Sequence, residues 1–249
     1  MQFLIFLSLD QPIFAKQMNK VPKLLHIDTT SEIALIGLSI QDQIIAQVTN
    51  QASQQHASFV QTSIESICKE HSFDLNQLDG IVVTLGPGSY TGMRVGLASA
   101  KGIAYALDKP LIGLSSLALI AKAANKKIDQ SGSNYSLFSM IDARRMEIFG
   151  AIYDANEKAL TEEQAIVLDI PYLTALAKKG TIYCAGSGAS KIAQLIEDEQ
   201  IQILDSQYSV VEMLEMAMIK WEKQDFEDLA YVGPTYIKDV YTIPSKQSK

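Results

Sequence analysis

The 249-residue chain predicts a two-lobed α/β fold built by duplication, and two observations carry that expectation. First, both halves open on the same unit. Residues 24–28 form an apolar strand ending in Ile27-Asp28; a polar turn, Thr29-Thr30-Ser31-Glu32, follows, and residues 33–38 start a second strand. Met140-Ile141-Asp142, then Ala143-Arg144-Arg145-Met146-Glu147, then Ile148-Phe149-Gly150-Ala151-Ile152-Tyr153 repeats the type and order. Second, strands and helical stretches alternate after each hairpin, as in a sheet flanked by helices. The lobes are expected at residues 18–115 and 116–223, with a tail, 224–249, returning to the first lobe.

Taken in order, residues 44–49 offer a third strand. Residues 56–71 place Val60, Ile64, Ile67 and Cys68 at helical spacing. Residues 79–85 form an apolar strand that runs into Gly86-Pro87-Gly88-Ser89-Tyr90-Thr91-Gly92. A helix follows to Leu107, then a short strand around Leu111-Ile112-Gly113. In the second half, residues 181–185 read as a strand, 186–188 as a Gly-Ser-Gly turn, 189–198 as a helix and 210–221 as another. Residues 1–9 are apolar but have no basic start, and Asp10 and Pro12 interrupt them, so neither a signal peptide nor a span is expected. Met18 is the expected start, with 1–17 an upstream extension.

The net charge of −7 and the lack of a Lys/Arg-rich run disfavour nucleic-acid binding by this chain alone, which rests mainly on neutralising phosphates. Cys68 and Cys184 have no metal-ligand spacing and read as reduced thiols of a cytoplasmic protein. His26, His56 and His71 are scattered, with no pair at i+3 or i+4, so no metal site is expected.

A glycine-rich loop between a strand and a helix is where phosphates often bind, because helix N-termini present unpaired N–H groups. The spacing here, G-x-G-x-x-x-G, is neither a dinucleotide fingerprint nor a P-loop. The loop therefore reads first as a tight turn, with nucleotide contact secondary. The helix behind it carries Gly92, Gly96, Ala100 and Ala104, a small residue at every fourth position, while Arg94, Lys101 and Asp108 share one stripe. Such a ridge admits another backbone closely, so it is expected to face a partner. On that reading Gly96→Arg breaks partner binding and leaves the monomer folded.

Paired hairpins whose turns carry Asp are the layout of the duplicated actin-like, ribonuclease H-like superfamily. Within it, Ile27-Asp28-Thr29-Thr30, the block Gly86-Pro87-Gly88-Ser89-Tyr90-Thr91-Gly92-Met93-Arg94-Val95-Gly96, the run Pro110–Leu117, Ile141-Asp142-Ala143-Arg144 and Pro234-Thr235-Tyr236-Ile237-Lys238 occur in this order and resemble the TsaB (YeaZ) family. The resemblance spans about residues 23–238. It implies a non-catalytic subunit that dimerises with TsaD, joins TsaE in a larger complex, and supports threonylcarbamoylation of the adenosine beside the anticodon in tRNA. The tRNA is reached only through the complex, and no membrane is involved. It also implies a helical interface, matched here by His56, Val60, Ile64, Tyr90, Gly92, Met93, Arg94, Gly96, Ala100 and Ala104. A homodimer through the same helices stays open.

TsaD-like proteins carry a metal-binding H-x-x-x-H pair after a strand that resembles Pro110–Leu114; here those positions hold Ser116 and Ile120, which disfavours metal-dependent transfer. Asp28, Thr29, Thr30, Asp142, Arg144, Gly186 and Gly188 are candidates for a vestigial nucleotide site. The turns at Asp28 and Asp142 lack the glycine that lets backbone N–H groups approach a phosphate. No cofactor is required on this reading, and ATP or ADP at a subunit boundary stays open. The enzymatic alternative is an actin-like ATPase or small-molecule kinase. A peptidase has no Ser/His/Asp or H-E-x-x-H arrangement to support it.

Overall fold

The computed structural model describes residues 22–51, 56–129 and 135–238. The extension 1–17 and the expected start at Met18 lie outside them. Strands β1 (Lys23–Asp28), β2 (Ala34–Ile40) and β3 (Gln43–Asn50) form an antiparallel meander. Helix α1 (His56–Glu70), β4 (Gly80–Gly86), α2 (Tyr90–Leu107) and β5 (Leu111–Ser115) complete the first unit. After α3 (Ser116–Asn125) the order repeats with β6 (Tyr135–Asp142), β7 (Glu147–Asp154), β8 (Gln164–Val167), α4 (Ile170–Ala177), β9 (Thr181–Ala185) and β10 (Ile201–Leu204), closed by α5 (Val210–Glu222).

The two sheets match strand for strand. The first runs β3-β2-β1-β4-β5 and the second β8-β7-β6-β9-β10. In each, the first three strands are antiparallel and the last two join in parallel beside the first. This is the duplicated, two-lobed actin-like fold that the repeated hairpins predict.

Alternation along the central strands explains the layering. Leu25, Ile27, Ile81 and Val83 point to one face of the first sheet and pack with Val60, Ile64, Leu97, Ala100 and Ala104 of α1 and α2. Leu24, Val82, Ile112 and Leu114 point to the other and meet Val210, Met213, Leu214 and Ala217 of α5. A period of two supplies both faces from one strand. Helix α3 covers the inner face of the second sheet through Leu117, Ile120, Ala121 and Ala124, while α4 covers its outer face. The middle layer is thus α5 beside α3. Although α5 falls within the stretch 116–223 expected as the second lobe, it packs on the first sheet.

Ion pairs tie the middle layer. Lys122 reaches Glu215 at 3.1 Å, and Lys126 reaches Glu212 and Glu215 at 2.8 Å. Glu212 also closes a capping box with Ser209 at the start of α5. These pairs are partly exposed and set orientation more than stability.

Residues 189–198 differ from expectation. A 3₁₀ turn over Ala189–Gln194 replaces the helix: Ala189 and Lys191 N–H bond three residues back, to the Gly186 and Gly188 carbonyls, in the tighter spacing of such turns. Helix α3 shows no helical periodicity in the sequence because eight of its ten residues are buried. Strands β8 and β10 have four residues each, too few to show a period.

His26 lies at 0% exposure in β1, its Nε2 2.9 Å from Ser39 Oγ. Burial pulls its pKa down from 6.5 to about 3. The folded protein holds a neutral ring, and the unfolded chain takes up the proton first. Stability is therefore complete above pH 6.5 and falls as the pH drops from there toward 3. Denaturant midpoints measured across that range should decline in the native protein, and His26→Gln, which cannot charge, should flatten the slope.

Candidate functional site

The site grows from the turn after β1. Asp28, Thr29 and Thr30 are all buried. The Thr30 backbone N–H and hydroxyl both donate to Asp28 Oδ1 at 2.8 Å, and Tyr208, just before α5, donates its hydroxyl to Oδ2 at 2.6 Å. Burial pushes the Asp28 pKa up, and the donors from Tyr208 and Thr30 oppose that shift. Ser116 at the start of α3 donates to Thr30 Oγ1 at 3.2 Å. Both lobes meet at this polar cluster.

The glycine block is the socket for that turn. Ser89 N–H donates to the Thr30 carbonyl at 2.7 Å, and Thr29 Oγ1 donates to the Gly92 carbonyl at 2.6 Å. Ser89 caps α2 by accepting from Gly92 N–H. A Cβ at Gly88 would fall 2.2 Å from the Thr30 carbonyl oxygen, at Gly92 1.9 Å from the Thr29 carbonyl oxygen, and at Gly96 2.5 Å from Thr29 Oγ1. The Thr30 carbonyl thus takes the Ser89 amide, and the Thr29 and Thr30 carbonyls leave no room for side chains at Gly88 and Gly92.

The small-residue ridge accordingly faces inward, against expectation. Gly92, Gly96, Ala100 and Ala104 are buried on the first sheet, as are Met93, Val60 and Ile64. The reason is the depth of the β1 turn: α2 must sit close enough for Thr29 to touch its axis. Gly96→Arg is therefore expected to disrupt the fold rather than a partner contact.

A second row, one face over, points outward. It holds Arg94, Ala98, Gly102 and Ala106, all exposed, with Tyr105 beside them at 82% exposure. A Cβ at Gly102 would meet nothing within 4 Å. This row went unnoticed in the sequence because the Gly92–Ala104 row has the same spacing and two glycines. Its signal was there: a helix with a small row on each of two faces has only a thin polar stripe left.

The second lobe repeats the geometry. Gly188 N–H donates to the Met140 carbonyl at 3.1 Å, and Asp142 N–H donates to Ser187 Oγ at 3.1 Å. Gly186, at φ +97°, has the Met140 carbonyl oxygen 2.3 Å from where a Cβ would be. The loop after the fourth strand thus seats the first hairpin in both lobes. Lys191, nearly buried, donates to Asp142 Oδ1 at 2.6 Å and to the Glu147 carbonyl at 2.7 Å. That ammonium holds the Asp142 carboxyl below its usual range. Arg144 and Arg145 sit exposed at positive φ in the same turn.

Among the described residues no group of three or more His, Cys, Asp or Glu side chains is placed to hold a metal. Ile120, at one of the positions compared with metal ligands, is core of the second lobe. Cys68 and Cys184 are free thiols, and burial pushes the Cys184 pKa up to about 12. No described helix is long and apolar enough to cross a membrane.

A family model described as TsaD, tRNA N6-adenosine threonylcarbamoyltransferase, matches residues 9–239. The Bacillus subtilis (strain 168) protein named tRNA threonylcarbamoyladenosine biosynthesis protein TsaB is 30% identical over 181 residues, 70% of this chain and 75% of that one. The chain belongs to this family, in its TsaB branch. The Haemophilus influenzae protein of the same name is 25% identical over 236 residues, covering 88% of this chain and 94% of the other. A solved Pseudomonas aeruginosa structure, described as similar to peptidase YeaZ, superposes with a TM-score of 0.72 at 21% identity, over 87% of this chain and all of that one.

For a TsaB-family chain, the residues singled out in the sequence divide cleanly. Asp28, Thr29 and Thr30 gather with the glycine block at the lobe junction, and Asp142, Arg144, Gly186 and Gly188 gather at the matching turn of the second lobe. Of the helix residues, Tyr90 and Arg94 are exposed; the His56 side chain lies outside what is described.

Proposed function

We propose that this TsaB-family chain serves threonylcarbamoyladenosine biosynthesis in tRNA as a non-catalytic subunit that binds TsaD. The binding surface is the outer face of α1 and α2, with TsaE joining the larger complex and tRNA reached only through it, in the cytoplasm. One observation carries the reading. The outward side of α2 is Thr91, Ala98, Gly102, Tyr105 and Ala106, with Arg94 the one exposed charged side chain of the helix. Lys101, beside them, is half-buried, its ammonium donating to the Val232 carbonyl at 3.1 Å. A helix face exposed to water is normally polar, and a smooth apolar one suits close helix packing.

The test is titration of TsaD with the purified chain. Gly102→Arg places a long side chain on the smooth row where the monomer has open space. It is expected to weaken TsaD binding by about 100-fold or more, with a melting temperature no lower than the parent's, since arginine also favours helix over glycine. Normal affinity in that variant sinks the assignment. If the chain also pairs with itself through this face, TsaD and the second copy compete, and adding TsaD dissolves the homodimer.

The ATPase or kinase alternative has the weaker support. Asp28 has both oxygens engaged by Thr30 and Tyr208, and the Ser89 amide is taken by Thr30. ATP turnover by the isolated chain with magnesium would favour it. A nucleotide seated at the boundary with TsaD is compatible with the scaffold reading and shows as binding only in the mixture.

A further inference from the structure

The C-terminal tail does not hang free over its described length. Glu227 N–H bonds the Leu111 carbonyl at the edge of β5, and Thr235 N–H bonds the Leu85 carbonyl beside the glycine block. Lys238 reaches Glu147 on β7. This path lays Tyr236 against the first turn of α2. There the Arg94 guanidinium stacks on Tyr90, 3.9 Å from the ring centroid, and its Nε–H donates to Tyr236 OH at 2.7 Å. The two tyrosine rings lie 5.2 Å apart.

An arginine on a helix surface ordinarily samples many rotamers. This one is fixed by a ring on one side and a hydroxyl on Nε, while among the described residues no carboxylate pairs with it. Among the described residues no hydrogen bond is made by its two Nη groups, and the side chain is exposed, so they present a planar fork. Such a fork matches a carboxylate with two parallel hydrogen bonds, and the entropy of fixing it has already been spent within the monomer.

We propose that Arg94, held by Tyr90 and Tyr236, is a preformed receptor for an acidic side chain of TsaD at the edge of the α1–α2 surface, and that the tail serves to aim it. This inference rests on the TsaD-binding role proposed above. A carboxylate is favoured over a nucleic-acid phosphate by count. Backbone phosphates are gripped by several cations together, whereas Arg94 is the one exposed cation on the described face of α2, Lys101 being half-buried with its ammonium turned to the tail.

The test measures TsaD affinity by calorimetry, at low and at high salt, for the unaltered chain and for Arg94→Gln, Arg94→Lys, Tyr236→Phe and Gly102→Arg. Arg94→Gln is expected to weaken binding about tenfold at low salt, and less at high salt, as for a partly exposed charge pair. Arg94→Lys keeps the charge but not the fork and recovers only part. Tyr236→Phe keeps the ring and frees Nε, and is expected to cost about threefold. No variant should melt well below the parent, and Gly102→Arg should melt slightly above it. If Arg94→Gln binds within twofold of the parent while Gly102→Arg does not bind, the receptor is wrong and the interface stands. If both bind normally, the interface itself is wrong. If Arg94→Gln retains TsaD affinity but lowers tRNA affinity of the assembled complex, the receptor reads phosphate and the proposal falls.

Discussion

Replacing Gly92 with alanine is expected to destabilise the protein by about 3 kcal/mol, whereas the same change at Gly102, three helical turns on, stabilises it by about 0.5–1 kcal/mol. The contrast follows from what each Cβ meets. At Gly92 it lands 1.9 Å from the Thr29 carbonyl oxygen, a backbone atom that cannot step aside without moving the β1 turn. The turn is held by the Thr29–Gly92 and Ser89–Thr30 hydrogen bonds, so the helix start must lift and those bonds stretch. At Gly102 the new methyl enters open space, and only the helical preference of alanine over glycine remains. Thermal unfolding reads both: Gly92→Ala should lower the melting temperature by about 8 °C and Gly102→Ala should raise it by about 2 °C. Gly92→Ala melting with the parent would mean that α2 does not rest on the turn. Because Gly102→Ala barely alters the outer row, it should also retain TsaD affinity, which separates it from Gly102→Arg.

That contrast also marks where sequence reading reaches its limit. The repeated strand-turn-strand units at Asp28 and Asp142 are local in sequence, so the duplication could be read directly and the two sheets repeat it strand for strand. The glycine block could be read as a turn that launches a helix, because the departures from known phosphate loops are also local. Which way the Gly92–Ala104 ridge faces is not local. It depends on how deeply Thr29, some sixty residues earlier, reaches toward the helix, and spacing alone treats an inner and an outer ridge alike. The same limit explains α5. Its apolar face could be read from residues 210–221, but which sheet it covers depends on side chains far away in sequence, Leu24, Val82 and Ile112, and Tyr208 ties its start to Asp28. For the candidate site, the aromatic clamp on Arg94 was out of reach because Tyr236 lies 142 positions away.

Asp28→Ala is expected to cost about 3 kcal/mol, and Asp28→Asn to stabilise the protein by about 1 kcal/mol at pH 7. Alanine strands three donors in a buried place: the Thr30 N–H, the Thr30 hydroxyl and the Tyr208 hydroxyl. Asparagine keeps an oxygen toward Thr30 and turns its amide nitrogen to the Tyr208 oxygen, which accepts in place of donating. It also removes a buried charge that no ammonium or guanidinium balances among the described hydrogen bonds. The pH profile follows from the same burial. The folded pKa of Asp28 lies above its unfolded value of 3.8, chiefly through desolvation. Folding therefore favours the protonated form, so this contribution is complete below pH 3.8 and is lost as the pH rises through the folded pKa. Asp28→Asn should abolish that loss, and its advantage over the parent should grow from acid to neutral pH in denaturant titrations. An Asp28→Asn variant as unstable as Asp28→Ala would show that the carboxylate is held ionised for a reason the turn does not supply, and a magnesium nucleotide at the lobe junction would then be the reading to pursue.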